Sequence, residues 1–208
     1  MENKVMPIIE IKESAWNAMS GKWGYGAGVV TLFFLIYALL AVPGNLAKEG
    51  SLLAMILGIL VLALTWGLSL GIAACFLDVA SDAGCSYGRL FTAFRSVQYF
   101  FKVAVLEFLK SLFIALWSLL LIVPGIMKYY SFSMAELIVI DHPEYTPMQA
   151  ISASEKMMYG HRMDLFRLQM AFALWFLLVM FTFGLASLWV LPYYNTAKSK
   201  FYLELKGE

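Results

Sequence analysis

Hydrophobic positions gather into six runs of unequal length, most of them separated by segments in which polar and apolar residues recur at helical spacing. Residues 24–43 and 52–77 hold no charge at all. A helix needs roughly 20 mostly apolar residues to cross a ~30 Å hydrocarbon core. Both runs are therefore predicted to span a membrane, the longer one with tilt. Gly44 to Gly50, with glycines at both ends and Lys48 between them, predicts a tight turn that folds the pair into a hairpin. A third run, 103–123, is expected to stop at Pro124-Gly125, because proline lacks the N–H a continuing helix needs and glycine accepts a sharp turn. The runs 126–140, 165–183 and 185–197 complete the set. Gly184 divides the last two, and Pro192 is expected to bend the sixth, whose polar end carries Trp189, Tyr193 and Tyr194 as interfacial aromatics. The fourth and sixth runs are short for a full crossing and open to being half-crossings.

Three linking segments have amphipathic patterns. In 86–101, Tyr87, Leu90, Phe91, Phe94, Val97 and Phe101 recur on one helical face, with Arg89, Thr92, Arg95, Ser96 and Lys102 on the other. That pattern suits a helix lying in the interface, and equally one packed on the protein's own cytoplasmic surface. The segment 147–160 begins with Thr146, Pro147 and Gln149, the makings of a capping box with proline at the first helical position, and Gly160 is its natural stop. In 8–20, Ile8, Ile11, Ala15 and Met19 share one side.

The resulting fold class is all-α: one polytopic transmembrane domain over 1–208, about six spans in three hairpins, each preceded by a cytoplasmic amphipathic helix. Orientation follows from the basic residues. With the N-terminus inside, Lys4, Lys12, Lys22, Arg89, Arg95, Lys102, Lys156, Arg162, Arg167, Lys198, Lys200 and Lys206 are cytoplasmic, and only Lys48 is clearly outside. This is the positive-inside pattern, and it puts both termini in the cytoplasm of a bacterial inner membrane. A five-span arrangement would strand the last three lysines outside. The spacing of Phe108, Ala115, Leu116, Trp117, Leu119 and Leu120 is echoed by Phe166, Ala173, Leu174, Trp175, Leu177 and Leu178, a possible parallel repeat.

Composition removes several function classes. Of 208 residues, 62% are hydrophobic and 14% charged, where a soluble domain carries roughly a quarter charged residues. The net charge of +1, without a basic run, gives no support for nucleic acid as a partner. Cys75 and Cys85 read as two unpaired thiols rather than a disulfide framework. The run 24–43 is too long for a signal-peptide core and reads as a retained span.

From about Leu90 onward a more specific pattern appears. Leu116-Trp117-Ser118-Leu119-Leu120 leads into Pro124-Gly125-Ile126, then Lys128, Tyr130, Ser131, Ser133 and Met134. Asp141, Pro143, Ala150-Ile151, Ser154, Met158, Gly160-His161 and Leu165-Phe166 follow, and Leu188-Trp189, Pro192-Tyr193, Ala197 and Phe201-Tyr202 close it. With these residues the chain resembles the prokaryotic integral-membrane family catalogued as domain-of-unknown-function family 975. It departs from the family pattern at Ala171-Phe172-Ala173-Leu174-Trp175, where serine and glycine are more usual, and at Ala186, where a second glycine is usual. The resemblance implies a membrane-embedded helical protein with no assigned reaction. A distant similarity to the membrane region of some glycerophosphodiester phosphodiesterases implies a lipid neighbourhood.

Ionisable residues inside spans cost a few kcal/mol each, so they are the candidate binding groups. Glu107 and Lys110 stand i,i+3 and are close enough to pair. Lys128 follows the Pro-Gly turn and is expected to snorkel to the outer headgroups. Glu136, alone in the fourth segment, is expected either to pair with a basic group of another helix or to line a wet cavity near Ser131 and Ser133. Asp141-His142-Pro143-Glu144 reads as turn chemistry rather than a metal site, and His161 as a helix-end or headgroup residue. No catalytic constellation, cofactor motif or metal signature is found. The leading expectation is a non-enzymatic membrane component that interacts with lipids, a protein partner or a second copy of itself. The alternatives are a small-solute or ion transporter using Glu107, Lys110 and Glu136, and a membrane-embedded lipid-modifying enzyme.

Overall fold

The structure, a computed structural model, describes residues 6–46 and 51–207. Lys4 and the Ala47–Gly50 part of the predicted turn, with Lys48, lie outside the described residues. The described residues form ten α-helices and one 3₁₀ segment. In chain order these are α1 (Ile8–Met19), α2 (Trp23–Leu46), α3 (Leu52–Ala80), the 3₁₀ segment (Tyr87–Arg95), α4 (Val97–Leu120), α5 (Ile122–Ser131), α6 (Ala135–Asp141), α7 (Pro147–Met157), α8 (Arg162–Met170), α9 (Ala173–Phe181) and α10 (Ser187–Lys206).

Among the described residues three helices are long and apolar enough to cross a membrane: Trp23–Val42 within α2, α3, and α4; α8 and α9 together make a fourth if their 41° bend is taken as one broken span. The other predicted spans take different forms. The fourth run is split into α5 and α6, of 10 and 7 residues. The sixth is the start of α10, a 20-residue helix that runs through Pro192 into a polar stretch carrying Lys198, Lys200 and Lys206. Pro192 is buried where Gly26 of α2 leaves room for its ring.

The expected stop at Pro124-Gly125 occurs earlier. α4 ends at Leu120, Leu121 is extended (φ −158°, ψ 141°), and Pro124 and Gly125 lie in the first turns of α5. A proline ring collides with the carbonyl four residues before it, here Leu120, so it ends the helix upstream of itself and is tolerated in the new helix's first turn. Gly125 serves close approach rather than turning: a Cβ there would stand 2.0 Å from Ser118 Oγ across the α4–α5 contact. Gly160 and Gly184 do act as turns, with φ of +88° and +90°.

The break between α5 and α6 is closed from α7. Ser154, fully buried, donates to the Ser131 carbonyl at 2.7 Å and accepts from the Met134 N–H at 3.2 Å. The hydroxyls of Ser131 and Ser133 turn back on the carbonyls of Met127 and Tyr130, so they do not line a cavity with Glu136. Ser154→Ala would leave a buried carbonyl and a buried N–H without these partners. We expect a loss of about 2–3 kcal/mol, read as a lowered unfolding midpoint of the detergent-solubilised chain. α7 itself starts as its sequence dictates, with the Thr146–Gln149 capping box complete and Pro147 in the first turn.

The segment 86–101 is not one α-helix. A 3₁₀ turn runs to Arg95, Ser96 is extended, and its hydroxyl accepts from the Tyr99 N–H at 3.1 Å to start α4. With three residues per turn, Leu90 and Ala93 share a face. Both are buried, together with Thr92, which the helical pattern assigns to the polar side, while Tyr87, Phe91 and Val97 are exposed. The segment packs on α3: at Gly71 the Leu90 backbone comes so close that a Cβ would stand 1.8 Å from its carbonyl oxygen.

The main core joins Ile11 and Ala15 of α1, Leu77 of α3, Leu106 of α4, Ile138 of α6, Leu168 of α8 and Phe201 of α10. A smaller core sets Met19 and Val30 against Leu68 and Phe76 of α3. α1 buries the predicted Ile11, Ala15 and Met19.

Candidate functional site

Three of the four predicted intramembrane ionisable groups meet. Lys110 Nζ donates to Glu107 Oε1 at 2.8 Å, its partner one turn earlier on α4, and to Glu136 Oε1 of α6 at 2.6 Å. The meeting follows from antiparallel packing of α4 on α5 and α6. Ser118 faces Gly125, the ring of Phe113 lies 6.2 Å from that of Phe132, and Tyr99 donates to the Val139 carbonyl at 3.2 Å. That register brings Lys110 to Glu136. The side chains of Lys110, Glu107 and Glu136 are only 10%, 11% and 18% exposed, so their mutual compensation takes the place of water. Two carboxylates share one ammonium, and Lys198 of α10 adds its positive charge within electrostatic reach of both. Tyr194, also on α10, lies within reach of Glu136.

Lys128 stands apart from this cluster. Rather than reaching out unpaired, it bonds Glu155 Oε1 of α7 at 2.6 Å and lies 5.4 Å from the Trp117 ring centroid and 5.5 Å from that of Phe132. Tyr130 O–H donates to Gln169 Oε1 of α8 at 2.7 Å. A second polar seam therefore ties α5 to α7 and α8. Neither partner is evident from the sequence: Glu155 lies in the amphipathic segment 147–160 and Gln169 inside the apolar run 165–183, and only the return of α7 along α6 brings Glu155 near Lys128.

Asp141 does more than shape a turn. It accepts from Tyr202 O–H at 2.8 Å and from Lys206 at 3.2 Å, fixing the end of α6 to α10. In the same loop His142 reaches Glu144 at 3.1 Å. Glu144 is held below the ordinary carboxylate range, first by its own backbone N–H and then by His142. His161 stands 3.4 Å from Asp164 at the start of α8. Asp78 and Arg89 form a two-armed ion pair between α3 and the 3₁₀ segment. Lys22 bonds Asp82 at 2.7 Å and lowers the pKa of that carboxylate. No group of three or more His, Cys, Asp or Glu that could hold a metal ion occurs among the described residues. Cys75 is buried, Cys85 exposed, and both are free.

At the α8–α9 break Phe172 is fully buried. Its ring meets Tyr193 at 4.8 Å and Tyr194 at 5.5 Å edge-on. A large ring, not a small residue, joins α9 to α10 here.

No curated protein and no solved structure matches the chain. The match to a family begins at Leu119, later than the resemblance read from Leu90, so it takes in Lys128 and Glu136 but not Glu107 and Lys110. Residues 119–208 match the model of the family described as a protein of unknown function (DUF975).

Proposed function

We propose that the protein is a non-enzymatic component of a prokaryotic cytoplasmic membrane, embedded against lipids or a protein partner, with the Lys110 cluster as an internal clamp. The observation that carries this reading is α9. All nine of its residues are apolar, none is buried, and Leu174 and Phe181 are each 79% exposed. Such a surface in water would cost about 25 cal/mol per Å², so it calls for hydrocarbon or another protein.

The finer plan is three hairpins, α2–α3, α4 with α5 and α6, and α8–α9 with α10, with α1, the 3₁₀ segment and α7 toward the cytoplasm. The hydrogen bond from the Met6 N–H to Glu204 Oε1 supports termini on one side, and the Lys22–Asp82 pair supports the first hairpin. The basic residues support an inward orientation of that side.

A photo-crosslinking residue at Leu177 of α9 tests the proposal in intact membranes. Adducts with lipid or with a discrete protein band are expected. A chain that forms neither, and stays monodisperse in detergent-free buffer, would refute it.

A further inference from the structure

A cavity of about 480 Å³ opens between α1 and α10, lined by Ile9, Lys12, Glu13, Trp16, Asn17 and Tyr193. Its wall is aromatic. Trp16 lies edge-on to Tyr193 with ring centroids 5.6 Å apart and to Trp23 at 4.9 Å. Tyr193 is held in place by donating to the Lys12 carbonyl at 3.2 Å.

Lys12 is supported from behind rather than paired. Its ammonium lies 5.2 Å from the centroid of buried Phe172 and 3.5 Å from the Ala171 carbonyl. Among the described residues it has no carboxylate at ion-pair distance, and an ammonium has three N–H donors to place. Glu13, the next residue, is exposed and acts electrostatically on Tyr193.

The cavity adjoins the outward apolar surface of α9, whose Trp175 ring lies edge-on to Tyr193 at 6.5 Å. On its other rim Ile9 is 71% exposed. A cation, an anion and the exposed indole of Trp16 therefore meet beside the apolar helix α9.

We infer that this cavity binds the headgroup of a zwitterionic glycerophospholipid, with Lys12 on the phosphate, Glu13 and the exposed Trp16 ring on the ammonium, and α9 along the acyl chains. Lysine and phosphate form a charge-assisted hydrogen bond. Aromatic faces attract a cation through the ring quadrupole. A headgroup bearing only negative charge would leave Glu13 opposed rather than paired. The inference deepens the membrane-component reading and rests on it.

Native mass spectrometry of the full chain, released from micelles holding defined lipids, tests it. The wild type is expected to retain phosphatidylethanolamine in preference to phosphatidylglycerol. Lys12→Gln weakens retention of both about tenfold, the scale of one charge-assisted hydrogen bond. Glu13→Gln weakens phosphatidylethanolamine alone, and Lys12→Arg keeps binding. Unchanged retention in Lys12→Gln and Glu13→Gln would overturn the assignment, as would equal loss in Lys12→Arg and Lys12→Gln. Displacement of the lipid by equimolar glycerophosphoethanolamine would also overturn it, by pointing to a soluble phosphate ester. If lipid is retained but indifferent to both residues, only the headgroup assignment fails. If no lipid is retained by any variant and the chain stays monodisperse without detergent, the membrane reading fails with it.

Discussion

Lys110→Met is expected to destabilise the chain by about 3–5 kcal/mol, measured as the shift in unfolding free energy on denaturant titration in mixed micelles. The ammonium is the shared partner of Glu107 and Glu136, at 2.8 and 2.6 Å, and all three side chains are largely shielded. Removing it leaves two carboxylates facing each other in a site that water reaches poorly. The cost is that of uncompensated buried charge rather than of a lost contact. The order among variants is as informative as the size. Glu136→Gln leaves a one-to-one Glu107–Lys110 pair and should cost less, and the triple variant Glu107→Gln, Lys110→Met, Glu136→Gln should recover most of the loss. A Lys110→Met protein as stable as wild type would refute the clamp. If the cluster is instead a transport path, Glu136→Gln would abolish solute or proton flux in proteoliposomes and leave stability unchanged.

That cluster shows which parts of the site local sequence conveys. Glu107 and Lys110 are one turn apart on one helix, so their pairing follows from the spacing alone. Glu136 lies 26 residues from Lys110, and its isolation in the sequence leaves open a basic partner on another helix or a wet cavity near Ser131 and Ser133. The α4–α5 turn supplies the register that joins them. Lys128, which follows the Pro-Gly turn, is expected from sequence to reach the headgroups. Its partner Glu155 became visible only with α7 folded back along α6. The break between α4 and α5 falls earlier than the sequence suggests for a similar reason. Pro124 marks a helix end correctly, but the collision it causes falls on Leu120, so the extended residue is Leu121. Likewise Phe91 and Phe94 fit an α-helical apolar face, whereas a 3₁₀ period and the approach to Gly71 select Leu90 and Ala93 for burial. Periodicity conveys which segments are helical and which are capped, as at Thr146, but not the local pitch imposed by a neighbouring helix.

Gly71→Ala is expected to cost about 3 kcal/mol, although alanine is the better helix former by about 1 kcal/mol. The added Cβ would stand 1.8 Å from the Leu90 carbonyl oxygen, 2.5 Å from its carbon and 2.8 Å from its Cα. All three are backbone atoms, so no rotamer change relieves the contact and the 3₁₀ segment must move off α3. Leu90, wholly buried beside Phe76 and Val79 in the smaller core, moves with it. Withdrawal of a leucine of this kind from a core costs about 1.5–3 kcal/mol. The displacement also strains the Asp78–Arg89 pair that bridges the same two elements. Trypsin should then cut after Arg89 faster in the variant, a local readout that accompanies the lowered unfolding midpoint. Gly58→Ala on the same helix is the control, because nothing lies within 4 Å of its added Cβ. It should change stability by less than about 1 kcal/mol and leave the Arg89 cleavage rate as it was. Equal effects from the two substitutions would show that α3 tolerates alanine anywhere, and that the 3₁₀ segment does not depend on this contact.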